Sequence, residues 1–63
     1  MDNTYFVIHW RIWSNVQSLT VRGAYSVVAA PNRRAARAKL RREVDVHRGE
    51  KLIIDNIAVS TAR

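Results

Sequence analysis

The sequence contains no cysteine, one proline and two glycines among its 63 residues. Without cysteine it can form neither a disulfide nor a thiolate metal site. No apolar run approaches the roughly 20 residues that a membrane-spanning helix needs. The first three residues, Met1-Asp2-Asn3, lack the basic stretch and apolar core of a signal peptide. We therefore expect residues 1–63 to form a single cytoplasmic domain with no membrane association.

Acidic residues are also scarce. Five Asp and Glu stand against eleven Lys and Arg, and the formal net charge is +6. The excess lies in the second half, because residues 31–63 hold nine basic and four acidic residues, whereas residues 1–30 hold two and one. This balance indicates an anionic partner. The alternative is that the charge only keeps a small protein soluble.

Residues 4–13 are rich in aromatic and β-branched side chains, which is typical of a strand. Alternate residues of a strand point to opposite faces of the sheet. One face of this strand is wholly apolar and is expected to meet the core: Phe6, Ile8, Trp10 and Ile12. The other face carries Tyr5, Val7, His9, Arg11 and Trp13.

A second strand is expected at about 19–29, after a hairpin loop at 14–18. One of its two rows contains Gly23 and the larger apolar side chains: Leu19, Val21, Tyr25, Val27 and Ala29. The opposite row is expected on a sheet face that no helix covers: Thr20, Arg22, Ala24, Ser26 and Val28. A glycine within a strand often marks a bulge or the close approach of another group.

A helix is predicted from Arg33 to about Val44, because this segment is rich in alanine and free of glycine and proline. Asn32 is the expected N-cap. Ala36, Leu40 and Val44 fall within about 80° on a helical wheel, a narrow apolar stripe that can lie on a sheet.

The last strand is predicted at about 51–60, after a turn in which Gly49 can take a positive φ. Its alternation breaks near Asp55-Asn56, which leaves its register open. Residues 61–63 are expected to fray. The sequence thus predicts an α+β domain with the order strand, strand, helix, strand. Its three-stranded sheet has the order 2-1-3, the third strand parallel to the second, and the helix packs on one face.

Catalysis finds little support in the residue pattern. The two histidines, His9 and His47, lie in different elements, and neither a Ser-His-Asp order nor a Gly-rich phosphate loop is present. Glu43 and Asp45 are close in sequence but point to different sides of a helix end, so they do not form an acid pair across a substrate. We therefore expect a binding protein, not an enzyme, with no cofactor and no metal.

The helix carries the strongest functional signal. Its six basic residues, with no acid among them, are Arg33, Arg34, Arg37, Lys39, Arg41 and Arg42. An ordinary exposed helix face mixes charge signs at i,i+4, and cations are disfavoured at a helix N-terminus. Guanidinium groups pair with phosphates or carboxylates through two parallel hydrogen bonds. We expect these residues to bind nucleic acid or an acidic protein; a merely solvated helix face is the alternative.

The uncovered sheet face is a second candidate site. It is expected to carry Tyr5, His9, Arg11, Trp13 and Arg22, together with Val7, Val28 and Ile53. Aromatic side chains beside arginines can stack bases. Burial against a partner protein or a second copy is the favoured alternative for a domain this small, because such a domain buries only about 60% of its unfolded surface. A homodimer through this face or through an edge strand is therefore expected.

The layout of a hairpin followed by a helix and a last strand resembles several small phage proteins that bind and inhibit host machinery. This resemblance implies a protein-interaction module that docks on an acidic surface of a host protein. The residues themselves favour a small basic protein that contacts the phosphates of DNA or RNA through its Arg-rich helix.

Overall fold

The computed structural model describes residues 4–60; residues 61–63, which were expected to fray, lie outside them. Four elements follow one another: β1 (Thr4–Ser14), β2 (Leu19–Ala30), α1 (Arg33–Glu43) and β3 (Glu50–Val59). The three strands form one sheet in the order β2-β1-β3, and both outer strands pair antiparallel with β1. β2 and β3 therefore run parallel to each other, which confirms the predicted α+β architecture.

The core lies between β1, β2 and α1. Phe6 and Ile8 of β1 are buried, as are Ala36 and Leu40 of α1. Trp10 is half-buried against the same cluster, and its Nε1–H donates a hydrogen bond to Ser26 Oγ at 3.0 Å. The faces predicted for β1 and for the apolar stripe of the helix are confirmed.

The faces predicted for β2 are wrong over most of its length. Val28 is buried in the core, whereas Tyr25 and Val27 are 66% and 56% exposed. The cause is the pairing register, in which Phe6 lies opposite Val28, and directly opposed residues share a face of the sheet. The Tyr25 row has the larger apolar side chains, but the pairing with β1 turns that row away from the helix.

Both strand pairs are irregular at one point. In the β1–β2 pair, Trp13 lies opposite Thr20 and Ile12 opposite Arg22, which leaves Val21 as an extra residue. In the β1–β3 pair, Asp55 is the extra residue between Asn56 and Ile54. A bulge inserts one residue without a partner and interrupts the alternation of faces. It therefore explains the broken pattern near Asp55-Asn56.

The connections follow the local chemistry of their residues. Asn32 caps α1, since its Oδ1 accepts a hydrogen bond from the Ala35 N–H at 2.9 Å. Gly49 adopts φ +82°, as expected for the turn before β3. At 11 residues, α1 is the one helix within residues 4–60, and it is far too short to cross a membrane.

Candidate nucleic-acid interface

The helix presents its basic residues to solvent because its short apolar stripe faces the sheet. Ala36 and Leu40 are the two residues of α1 that are fully buried. The basic residues lie elsewhere on the circumference, and all six are exposed: Arg33, Arg34, Arg37, Lys39, Arg41 and Arg42. Packing of the helix therefore determines which side of it is positive.

Three of these arginines line one groove. Arg34, Arg37 and Arg41 surround it together with Ala38 and with Ile54 of β3, and its volume is about 510 Å³. The spacing of three and four residues places the arginines in one row along the helix. We call this feature the arginine groove. Because Ile54 is one of its lining residues, the groove lies between the helix and the β3 side of the sheet.

The remaining helix cations lie outside the arginine groove. The Nζ of Lys39 donates a hydrogen bond to the carbonyl oxygen of Ala29, at 3.2 Å, and so contacts β2 instead. Arg33 and Arg42 are exposed near the two ends of the helix. The structure thus divides the six predicted residues into three in the groove, one bonded to the sheet and two flanking arginines.

None of the six helix cations forms an ion pair with a carboxylate of residues 4–60. The carboxylates that form ion pairs there are Asp55, with Arg11, and Glu50, with Arg22; His47 Nδ1 also lies 3.6 Å from Glu50 Oε1. No acidic residue occupies the first turn of α1. The arginine groove therefore concentrates positive charge with no carboxylate among its lining residues, an arrangement that attracts anions.

The sheet face opposite the helix carries aromatic side chains, as expected, but its membership differs from the prediction. We call it the open face: Tyr5, Val7, His9, Arg11 and Trp13 of β1, Thr20, Tyr25, Val27 and Ala29 of β2, and Lys51, Ile53, Asn56 and Ala58 of β3. His9 lies opposite Tyr25, and their ring centroids are 5.8 Å apart. The prediction missed Tyr25 because it placed that residue's row toward the core. Pairing Phe6 with Val28 in the predicted hairpin would have placed Tyr25 on the open face.

One of the two cations of the open face, Arg11, is neutralised locally, whereas the other, Lys51, lies at the end of the sheet opposite Trp13. Arg11 Nε lies 3.1 Å from Asp55 Oδ1, and its Nη1 donates to Thr20 Oγ1 at 3.4 Å. The bulge at Asp55 brings this carboxylate to the arginine. The open face therefore combines exposed tyrosines with little net charge.

Arg22 was expected on the open face, and this prediction is wrong. It lies opposite Ile12 and so shares the helix side of the sheet. Its Nη2 donates to the carbonyl oxygen of Asp45, and its Nη1 lies 3.7 Å from Glu50 Oε1. Glu50 Oε1 also accepts the backbone N–H of His47 at 3.1 Å. Arg22 of β2 therefore holds the segment between α1 and β3 through one hydrogen bond and one ion pair.

A second groove, of about 520 Å³, lies beside this contact. Glu43 and Asp45 are among its lining residues, with Arg22 and His47. Mixed charge makes it a poorer anion site than the arginine groove. Within residues 4–60, no three His, Asp or Glu side chains cluster closely enough to hold a metal ion.

Comparison of the chain with protein-family models, with characterised proteins and with solved structures finds no match.

Proposed function

We propose that the protein binds nucleic acid by contacting phosphates with the three guanidinium groups of the arginine groove. The observation that carries this proposal is the convergence of Arg34, Arg37 and Arg41 on one groove that no carboxylate lines. Opposite charges placed among a cluster of cations would stabilise a purely solvated helix. Their absence from this cluster is what an anion site requires.

The dimensions of the row suit a phosphate backbone. Arg34 and Arg41 are seven residues apart, which is about 10.5 Å along the helix axis at 1.5 Å per residue. One strand of duplex DNA carries a phosphate about every 3.4 Å of its axis, so the length of the row equals about three phosphate spacings. Each planar guanidinium can donate two parallel hydrogen bonds to a phosphate. Three contacts of this kind bind without reading base sequence.

The helix also carries cations where they reduce its own stability. Arg33 and Arg34 occupy the first turn, where the positive end of the helix dipole disfavours a cation by about 0.3–1 kcal/mol each at exposed sites. A phosphate bound at this end would be favoured by the same dipole and would offset the cost. A nucleic-acid partner also agrees with the cytoplasmic location expected from the sequence.

An acidic protein surface is the second candidate partner. The observation that favours it is the apolar component of the groove. Ile54 lines the groove together with the arginines. Val59, which lies on the same side of β3, is 46% exposed. An interface that pairs carboxylates with the arginines and apolar side chains with these two residues would use both features. Phosphate contacts need only the arginines.

Fluorescence anisotropy with labelled duplex DNA, single-stranded DNA and RNA tests the proposal. The groove variant replaces Arg34, Arg37 and Arg41 together with Gln. A matched control replaces Arg33, Arg42 and Arg48 with Gln, which removes the same charge from three exposed arginines outside the groove. Circular dichroism verifies that both variants are folded.

The groove variant is expected to lose on the order of 100-fold in affinity for duplex DNA at 0.15 M salt. Each phosphate contact makes affinity fall with salt concentration to the power of about 0.9. Three contacts therefore raise affinity at 0.15 M salt on the order of 100-fold above its value at 1 M salt, and the groove variant loses this gain. The control variant is expected to lose clearly less. Equal losses in the two variants would mean that net charge, and not the groove, drives binding. No binding to any of the three nucleic acids at low salt would overturn the proposal in favour of a protein partner.

A further inference from the structure

We infer that the open face is a homodimer interface, with a second copy of this chain as its occupant. Three observations support this inference: the chemistry of the face, its area, and its separation from the cations of the helix. The inference goes beyond nucleic-acid binding and does not depend on it.

The open face has the composition of an interface core. Tyr5 and Tyr25 are 60% and 66% exposed, and Val27 lies beside them at 56%. Protein interfaces are enriched in tyrosine and depleted of charged residues at their centre. Contiguous exposed apolar and aromatic area of this kind is typical of a surface that a partner covers.

The face is large enough for a specific dimer. The central strand has 11 residues, which is about 37 Å at 3.4 Å per residue, and three strands at about 4.8 Å spacing add a width of about 14 Å. The flat area is therefore about 500 Å² per copy, and the side chains that stand above it add to the accessible area. Two copies would bury more than about 1,000 Å², the lower limit for a specific interface.

Charge favours a second copy over a nucleic acid at this face. Arg11 is paired with Asp55 at 3.1 Å, so it offers little to a phosphate backbone. The six helix cations lie across the sheet, on the opposite side of the molecule. Arg11 and Lys51 against Asp55 leave the open face with one net positive charge in a chain of +6, so two copies repel each other less there than across the helix side.

Joining two open faces produces layers in the order helix, sheet, sheet, helix. With sheets about 10 Å apart and each helix about 10 Å from its sheet, the two arginine grooves face outward on opposite sides, about 30 Å apart. If the grooves bind phosphates as proposed above, one dimer can hold two nucleic-acid segments. This consequence rests on the proposed function, whereas the dimer itself is measured without nucleic acid.

Sedimentation equilibrium across the micromolar range tests the inference with one variant and one matched control. Val27→Lys places a charge on the open face, opposite Val7 of the central strand. Val16→Lys makes the same change at a hairpin-loop residue that is 83% exposed and lies outside the face. The parent is expected to sediment at twice its 7.2 kDa mass. Val27→Lys is expected to weaken dimerisation about tenfold or more, as at an interface hot spot, and Val16→Lys to leave it unchanged.

A parent that remains at 7.2 kDa throughout would overturn the inference. So would a dimer that Val27→Lys and Val16→Lys affect equally, since such a dimer would not depend on the open face. Hydroxyl-radical labelling of the unmodified chain provides a test that needs no variant. Tyr5 and Tyr25 should become protected as the protein concentration rises, while the exposed His47 should not; unchanged labelling of both tyrosines would also refute the open-face dimer.

Discussion

The two tryptophans of β1 provide a sharp test of the sheet faces, because they are three residues apart and lie on opposite sides. Trp10 packs against the core, and its indole N–H bonds to Ser26 at 3.0 Å. Trp13 is half-buried on the open face, opposite Thr20 and Lys51. Replacing each with Ala removes the same atoms from two different environments.

Truncation of a fully buried tryptophan costs about 3–5 kcal/mol. Trp10 is half-buried, so we expect Trp10→Ala to cost about 3 kcal/mol, at the lower end of that range. A chain of this length has a total stability of roughly 3–9 kcal/mol at 0.05–0.15 kcal/mol per residue. The variant should therefore lose between about a third and all of the stability of the parent, whereas Trp13→Ala should lose about 1 kcal/mol, as an average substitution does.

Thermal unfolding followed by far-UV circular dichroism measures both variants, at one low protein concentration that limits self-association. At about 4–8 °C per kcal/mol for a small domain, Trp10→Ala should melt roughly 12–24 °C below the parent, and Trp13→Ala roughly 4–8 °C below it. Trp10→Phe, which retains most of the apolar area, should lie between the parent and Trp10→Ala. A larger loss for Trp13→Ala than for Trp10→Ala would show that the faces of β1 are inverted, and the open face would then be misassigned.

Two further predictions concern the connections before and after the helix. Asn32→Ala removes the side chain that caps the Ala35 N–H and should lower the free energy of unfolding, measured in urea, by about 1 kcal/mol. Asn32→Asp should retain the stability of the parent. If Asn32→Asp lost as much as Asn32→Ala, the cap would contribute little. Gly49→Ala should cost about 1–2 kcal/mol, because φ is +82° and a Cβ would lie 3.2 Å from Val16 Cγ2. Adding Val16→Ala should recover only the part due to this contact, and full recovery would mean that the backbone conformation carries no cost.

The order of elements was predictable because each element has a strong local signal. The apolar row of β1 contains only Phe6, Ile8, Trp10 and Ile12, so its core face could be assigned without tertiary information. The cap at Asn32 and the turn at Gly49 follow from the backbone conformations that these residues favour. Once β1 is central, a helix between the outer strands requires those strands to be parallel.

The faces of β2 were not predictable from its own composition. Both of its rows contain apolar residues, and the row with Tyr25 and Val27 has the larger ones. Pairing with β1 decides between the rows, because a shift of one residue moves every side chain to the other face. The same long-range pairing places Arg22 on the helix side of the sheet and not on the open face, where it was expected. There it contacts the segment between α1 and β3.

The candidate site was predictable in part. Helical periodicity places Arg34, Arg37 and Arg41 on the exposed side of α1, which the structure confirms. It cannot show that these three share a groove with Ile54, since that depends on how the helix lies across the sheet. Nor does it show that Lys39 bonds to the carbonyl of Ala29 and so lies apart from the groove.

The salt dependence of duplex DNA binding tests the central claim most directly. The logarithm of affinity should fall linearly with the logarithm of salt concentration, with a slope of about −0.9 for each phosphate contacted. Replacing Arg34, Arg37 and Arg41 with Gln should make this slope shallower by about 2.7, the contribution of three contacts. A parent that binds DNA with a slope that the three substitutions leave unchanged would contradict the claim that the arginine groove holds the phosphates.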